Sequence, residues 1–284
     1  MRNTALSISE KKSKNEKITM LTAYDYSTAK LMDSCGIDAL LVGDSLGMVM
    51  LGYDSTLPVT MDDMIHHAKA VARGSERALV VADMPFMSYQ VSVAEAVANA
   101  GRLLKETGVG AVKLEGGAEV CPQIEAITRA SVPVMGHLGL TPQSIHTLGG
   151  YKVQGKDRDR ARRLVEDARA VERAGAFAAV LECVPAGLAA LITRLLQIPT
   201  IGIGAGADCD GQVLVYQDML GLYPGKKPRF VKRYADAGAV MERAFRSYIE
   251  ETESGLFPTA EHAFTIDEEI LNELKTHYEP ESRS

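Results

Sequence analysis

A parallel α/β barrel, a (β/α)8 TIM barrel, is the fold class that the sequence predicts, and three observations predict it. Short apolar runs recur about eight times along the chain. They are continuous, not alternating, as strands covered on both faces must be. Segments with helical apolar spacing separate most of them, over about 250 residues with no linker. A doubly wound open sheet is the competing α/β arrangement.

The runs are 18–24 "ITMLTAY", 39–45, 78–84, 110–116, 132–138, 176–184, 198–203 and 212–216. The first helix, 26–36, ends at Gly36, a C-cap signal. Thr60 with Asp63 suits a capping box opening 61–73, and Ser92 with Glu95 suits one opening 93–107, which Gly108 closes. The stretch 157–174 is charged on one side and apolar on the other, and Gly175 stops it. Helices at 186–197 and 236–251 complete the series. Between the last two runs "GAGADCDG" is too short for a full crossover helix. The first ~15 and last ~20 residues read as peripheral to a single barrel domain, 1–284, with its core at about 18–255.

A net charge of −6 argues against nucleic acid, whose binders concentrate positive charge. The basic stretch "KDRDRARR" (156–163) is broken by Asp157 and Asp159 and reads as a solvated helix face. The four cysteines form no C-x-x-C pair, which removes the common zinc and thioredoxin-like motifs. The N-terminal stretch "MRNTALSISEKKSKNEK" lacks the apolar core of a secretion signal, and no apolar stretch reaches the ~18 residues of a membrane span. A cytoplasmic enzyme is therefore expected, without disulfides and without a membrane partner.

Four of the apolar runs stop at a carboxylate: "LLVGDSLG" at Asp44, "VVADMPF" at Asp83, "AVKLEGG" at Glu115 and "AAVLECV" at Glu182. In a barrel of this class the C-terminal strand ends converge on one mouth, where reacting groups sit. A lone Asp after a strand is commonly a turn or helix cap. Four in register, with Gly43, Gly47, Gly116 and Gly117 nearby, point instead to an acid-lined pocket. Crowded carboxylates raise one another's pKa unless a cation sits among them. Hard oxygen ligands favour Mg2+, held by one or two carboxylates plus water and substrate oxygens. His137 ends the fifth run and leaves zinc or cobalt open; it either contacts substrate, relays a proton or hydrogen-bonds inside the mouth.

Lys113 lies two residues before Glu115, so both share one strand face while Val112 and Leu114 take the other. It is either a structural ion-pair partner or the group that captures an anionic substrate. Tyr24 and Asp25 end the first run and could line the pocket or be structural. His66, His67 and His146 read as structural or surface residues. "GIGAG" (202–206) alone would suit a phosphate-cradling turn, as in a phosphosugar enzyme.

Several stretches carry a specific resemblance. They are "MLTAYDYSTAKL", "LLVGDSLGMVMLGYDSTLPVTMDDM", "NAGRLLKETGVGAVKLEGG", "GHLGLTPQS", "LGGYKVQGK", "LECVP", "IPTIGIGAGADCDGQVLVYQDMLGL" and "PRFVKRYAD", spread over 18 to about 265. On these the chain resembles the ketopantoate hydroxymethyltransferases. The resemblance implies a TIM barrel related to the phosphoenolpyruvate/pyruvate superfamily. It implies transfer of a hydroxymethyl group from 5,10-methylenetetrahydrofolate to 3-methyl-2-oxobutanoate, giving ketopantoate for pantothenate and coenzyme A synthesis. It also implies Mg2+ ligands at Asp44 and Asp83, and Glu115 as the acid that holds the metal's waters. By the same likeness Ser45 and Lys113 bind the oxo acid, together with the metal-bearing Asp44 and Asp83 and with His137, and Glu182 is the proton acceptor. A homo-oligomer, often a decamer, is typical of the family. The rival readings are a Mg-dependent C–C lyase of the phosphoenolpyruvate mutase and isocitrate lyase type, and a non-catalytic barrel scaffold. The Lys-Lys-Cys-Gly-His loop of those lyases does not occur in this sequence.

Overall fold

The structure, a computed structural model, describes residues 2–222 and 228–279. It forms two units, Met1–Ala235 and Asp236–Ser284. In the first unit eight parallel strands close into a barrel in chain order. They are β1 (Ile18–Thr22), β2 (Ala39–Val42), β3 (Leu79–Asp83), β4 (Ala111–Glu115), β5 (Val134–Gly139), β6 (Ala178–Glu182), β7 (Thr200–Ile203) and β8 (Gly211–Leu214). Each predicted apolar run supplies one of them.

Alternation explains why the runs look continuous. Leu79 and Val81 of β3, Ala111 of β4, Met135 of β5 and Ala178 and Val180 of β6 pack together in the barrel's interior. Val80, Ala82, Val112, Leu114 and Leu181, one residue out of phase, pack outward among the helices. Both faces are apolar, so the strands show no period of two. Continue the inward phase to the strand ends and it reaches Asp83, Lys113, Glu115, His137 and Glu182. These three acids, with Asp44 just beyond β2, mark the level at which the barrel's filling changes from apolar to charged.

Helices form where local chemistry starts and stops them. Thr60 and Asp63 close the capping box of the helix Met61–Gly74. Ser92 caps Val93–Thr107 through Glu95 N, and Gly108 ends it in the left-handed region. Asp25 is a helix cap as well, accepting from Thr28 N at 2.9 Å; its side chain serves the helix Tyr26–Ser34, not the pocket. Between β7 and β8 no helix forms, as the short connection requires. After β8, among the described residues of this unit, only the short helix Tyr216–Leu220 follows.

Two expectations differ from the structure. The N-terminal segment is no loose extension. Its helix Ala5–Ser13 places Ile8, 1% exposed, in the interior cluster with Ile18, Met20 and Ala39. Lys12 Nζ reaches Asp210 Oδ2 at 2.9 Å, and Ser9 Oγ donates to the Phe177 carbonyl at 3.0 Å. These ties hold the helix against the barrel's N-terminal end. A single inward apolar residue gave no amphipathic signal. The second difference is at the other end. The helix Ala237–Glu253, counted in the barrel series, belongs to the second unit and has no buried residue.

Candidate active site

Strand register sets the charged layer. Asp83 of β3 stands beside Lys113 of β4, and Glu115 beside His137 of β5. Glu182 ends β6 beside Gly139. Gly139 takes a φ of 95°, and any Cβ there would strike the Glu182 carbonyl. Glycine at that position is what lets β5 and β6 bring His137 and Glu182 together. Asp44 follows β2 after Gly43, where a side chain would crowd Ser45 Oγ and Asp83 Oδ2. All of these groups line one cavity of about 750 Å3 at the C-terminal end of the barrel.

The cluster is dry. Asp44, Asp83, Lys113, Glu115 and His137 are each buried, and the Glu182 side chain is 16% exposed. Lys113 Nζ lies 2.9 Å from Asp83 Oδ1 and 3.2 Å from His137 Nδ1. His137 Nδ1 lies 3.2 Å from Glu115 Oε1, and its Nε2 lies 3.2 Å from Glu182 Oε2. Burial and the neighbouring Lys113 ammonium oppose charge on His137, but Glu115 and Glu182 outweigh them and push its pKa up to about 9. The ring is therefore a cation bridging two carboxylates at neutral pH. Burial likewise works against the Lys113 ammonium, yet Asp83, Glu115 and Asp44 hold its pKa above the ordinary value. Glu115 is held below its ordinary value because His137 and Lys113 outweigh its burial.

The two aspartates go the other way. Burial pushes Asp44 well up, and the Asp83 and Glu115 charges add to it. Burial also raises Asp83, against the pull of Lys113. Four carboxylates face two cations, an excess of negative charge that a divalent cation would neutralise. Asp83 Oδ2 accepts from Asp44 N at 3.0 Å, and its buried Oδ1 is paired with Lys113 Nζ at 2.9 Å. Asp44 Oδ2 accepts from Gln143 Nε2 at 2.8 Å, and its other oxygen accepts nothing among the described residues. Asp44 thus keeps one open oxygen, while the second oxygen of Asp83 is shared with the Lys113 ammonium. Both oxygens of Glu115 are engaged, by His137 and by Gln143 N at 3.0 Å. Among the described residues no set of three or more His, Cys, Asp or Glu is placed to hold a metal by itself. Two hard oxygen donors with room for water and substrate fit Mg2+, which keeps several waters and takes few protein ligands.

Gln143 and Tyr89 escaped the sequence reading. Gln143 sits in the turn Pro142–Ser144 after β5, 5% exposed, and every polar atom of its side chain is used. Its Nε2 also donates to the Met84 carbonyl at 3.0 Å, and its Oε1 accepts from Tyr89 OH at 2.7 Å. Tyr89 OH in turn accepts from Glu115 N at 3.1 Å. Gln143 thereby ties the loop after β3, Asp44 and Glu115 into one frame. An uncharged residue in a short turn gives no pattern in a single sequence that would single it out.

Ser45 is at the mouth, its Oγ 2.8 Å from the hydroxyl of fully buried Tyr24. Burial pushes the Tyr24 phenol far up, so it stays protonated and can donate to Ser45. His67 Nδ1 meets the Tyr24 carbonyl at 2.7 Å and is structural.

Comparison with known proteins places the chain in a family. The sequence model of the family described as ketopantoate hydroxymethyltransferase matches residues 2–260. The 3-methyl-2-oxobutanoate hydroxymethyltransferase of Clostridium novyi (strain NT) is 63% identical over 274 residues, covering 96% of this chain and 100% of that protein. The protein of the same name from Enterococcus faecalis is 62% identical with the same coverage. Among solved structures, 2,3-dimethylmalate lyase, a PEP mutase/isocitrate lyase superfamily member, aligns with a TM-score of 0.60 at 16% identity, over 96% of this chain and 92% of that one. Phosphonopyruvate hydrolase, in a complex with oxalate and Mg2+, aligns at 0.59 and 12% identity, over 97% and 99%. At those identities the structures show a shared barrel fold. The full-length sequence matches go further: this chain belongs to the ketopantoate hydroxymethyltransferase family.

Proposed function

We propose that the chain transfers the hydroxymethyl group of 5,10-methylenetetrahydrofolate to 3-methyl-2-oxobutanoate, giving ketopantoate, with one Mg2+ per subunit. The observation that carries this reading is the buried layer in which Asp44 keeps an open oxygen beside the Asp83–Lys113 pair, while Glu182 stands apart from them across His137. Asp44 and Asp83 would hold the metal, with Glu115 fixing its waters. Bound there, Mg2+ would supply Lewis acidity toward the keto oxygen of the oxo acid, worth several kcal/mol.

The chain's own groups do the rest. Lys113, buried and charged, meets the substrate carboxylate with Ser45 as a hydrogen-bonding partner. Glu182 accepts the proton from C3, and the carbon so freed forms the new C–C bond to the one-carbon unit, while that unit's bonds to the two folate nitrogens break with uptake of one water, which supplies the hydroxyl and leaves tetrahydrofolate. A positioned base of this kind contributes typically about 10²–10⁴-fold. His137 cannot wander, because Glu115 fixes Nδ1 and Nε2 faces Glu182. It sets where the base points. Burial excludes bulk water from the layer and strengthens each of these interactions.

The same reading includes a cytoplasmic homo-oligomer, a decamer by family likeness. The helix Ala237–Glu253 supports self-association: Met241, Phe245 and Tyr248 fall on one face and are 45%, 60% and 59% exposed. Among the described residues no helix is long and apolar enough to cross a membrane. The decisive test supplies 3-methyl-2-oxobutanoate, methylenetetrahydrofolate and Mg2+ and looks for ketopantoate by mass spectrometry. Product supports the reading; cleavage of a C–C bond in a malate-type acid without ketopantoate would replace it with a lyase.

A further inference from the structure

The mouth cavity, about 750 Å3, is of the size that takes a drug-like molecule and exceeds what a five-carbon oxo acid fills. Its acids come from the β2 to β6 side. The cavity is also lined by Thr56, in the connection after β2, and by Val215, Asp218, Pro228, Arg229 and Phe230 from after β8. Two polar groups of this lining have nothing to bind. Thr56 is 2% exposed, and its Oγ1 has no hydrogen-bond partner. The Asp218 carboxylate is half-buried, and among the described residues it accepts no hydrogen bond and makes no ion pair. Arg233 acts on it only through its charge. The helix Tyr216–Leu220 that carries Asp218 touches the segment leading to Thr56 at one point, where Gln217 Nε2 reaches Met50 Sδ at 3.3 Å. In native proteins, buried polar groups are matched by partners. Gln143, in the same mouth, satisfies both its amide ends.

We propose that this lining seats the pteridine head of the one-carbon donor, with the Asp218 carboxylate accepting the paired N–H donors of its aminopyrimidinone ring. The ring presents its 2-amino group and N3–H side by side, a match for the two oxygens of one carboxylate. Val215, Pro228 and Phe230 offer apolar surface to a flat ring. Thr56 Oγ1 meets one of the ring's polar atoms. Arg229, exposed and in no ion pair among the described residues, meets the glutamyl carboxylates of the tail. This placement sets donor and oxo acid in one cavity, so that the carbon freed by Glu182 looks toward the one-carbon unit. It rests on the reading of the chain as a folate-dependent hydroxymethyltransferase.

The test measures ketopantoate formation by the full-length protein and by Asp218→Asn, which replaces one acceptor oxygen with a donor. The KM for methylenetetrahydrofolate should rise by about tenfold or more, while that for 3-methyl-2-oxobutanoate moves by less than about threefold. A second measurement uses 6-methyltetrahydropterin and its analogue lacking the 2-amino group as inhibitors. On the wild type the amino compound should bind about tenfold tighter, a gap that closes in the variant. If the variant folds poorly, the two inhibitors on the wild type still decide, and equal inhibition overturns the placement. An unchanged folate KM in an active variant overturns the role of Asp218 and leaves the reaction standing. Failure of the wild type itself to make ketopantoate with folate removes the reading and the placement together.

Discussion

The two sides of the barrel mouth are built on opposite principles. From β2 to β6, side chains meet side chains: Lys113 with Asp83, His137 with Glu115 and Glu182, Gln143 with Asp44 and Tyr89. The frame is preorganised, which is what positioned acid–base and electrostatic chemistry needs. From β7 to β8 the wall is thin, with no crossover helix, a five-residue helix after it, and Asp218 without a partner. A filled frame holds a small substrate in one pose; an open wall leaves hydrogen-bonding capacity for something larger. On the proposed function, the contrast divides chemistry from delivery between the two halves.

Four experiments break or sharpen that contrast. The largest effect is expected on the closed side. Glu182→Gln should cost about 10²–10⁴-fold in kcat while Mg2+ and oxo-acid binding, measured by calorimetry, stay unchanged. Loss of binding along with rate would make Glu182 part of the frame and not the base. The next effect is on stability, below the layer. Ile8→Ala should cost about 2–5 kcal/mol in denaturant unfolding, with kcat kept at low temperature, since Ile8 fills the barrel's interior. A cost near zero would return the N-terminal helix to the periphery.

The third concerns His137. Its pKa in the folded chain, about 9, exceeds the ordinary ~6.5. A raised folded value stabilises fully below about pH 6.5, and the stabilisation is lost as pH climbs through about 9. In metal-free buffer the wild type should therefore exceed His137→Gln by at most about 3 kcal/mol at low pH, with the gap closing above about pH 9. A gap that does not change with pH would show that the ring is not charged. The smallest effect is expected at Gln143. Gln143→Leu keeps volume but removes the amide that fixes Asp44, so Mn2+ affinity should fall by about 10–100-fold. Unchanged affinity would confine Gln143 to packing.

What the sequence disclosed follows the same division. The eight strands were legible because both faces of each are apolar, and the acids because each ends such a run. Lys113 and Glu115 were legible as a pair from spacing alone, and β4 does turn both into the barrel while Val112 and Leu114 pack outward. Gln143 was not, since it reaches Asp44 from 99 residues away. No charge or period marks it. The N-terminal helix was hidden because one residue, Ile8, does its packing. Asp218 was hidden because a carboxylate after a strand matters only once its neighbours are known to leave it alone.

The most direct measurement follows the C3 proton of 3-methyl-2-oxobutanoate in deuterated water by NMR, without folate, as Mg2+ is titrated. Exchange should be absent with chelator, appear with the metal, and vanish in Glu182→Gln. Exchange that ignores the metal, or that survives loss of the Glu182 carboxylate, would contradict a cation gathered by Asp44 and Asp83 with Glu182 as its partner base.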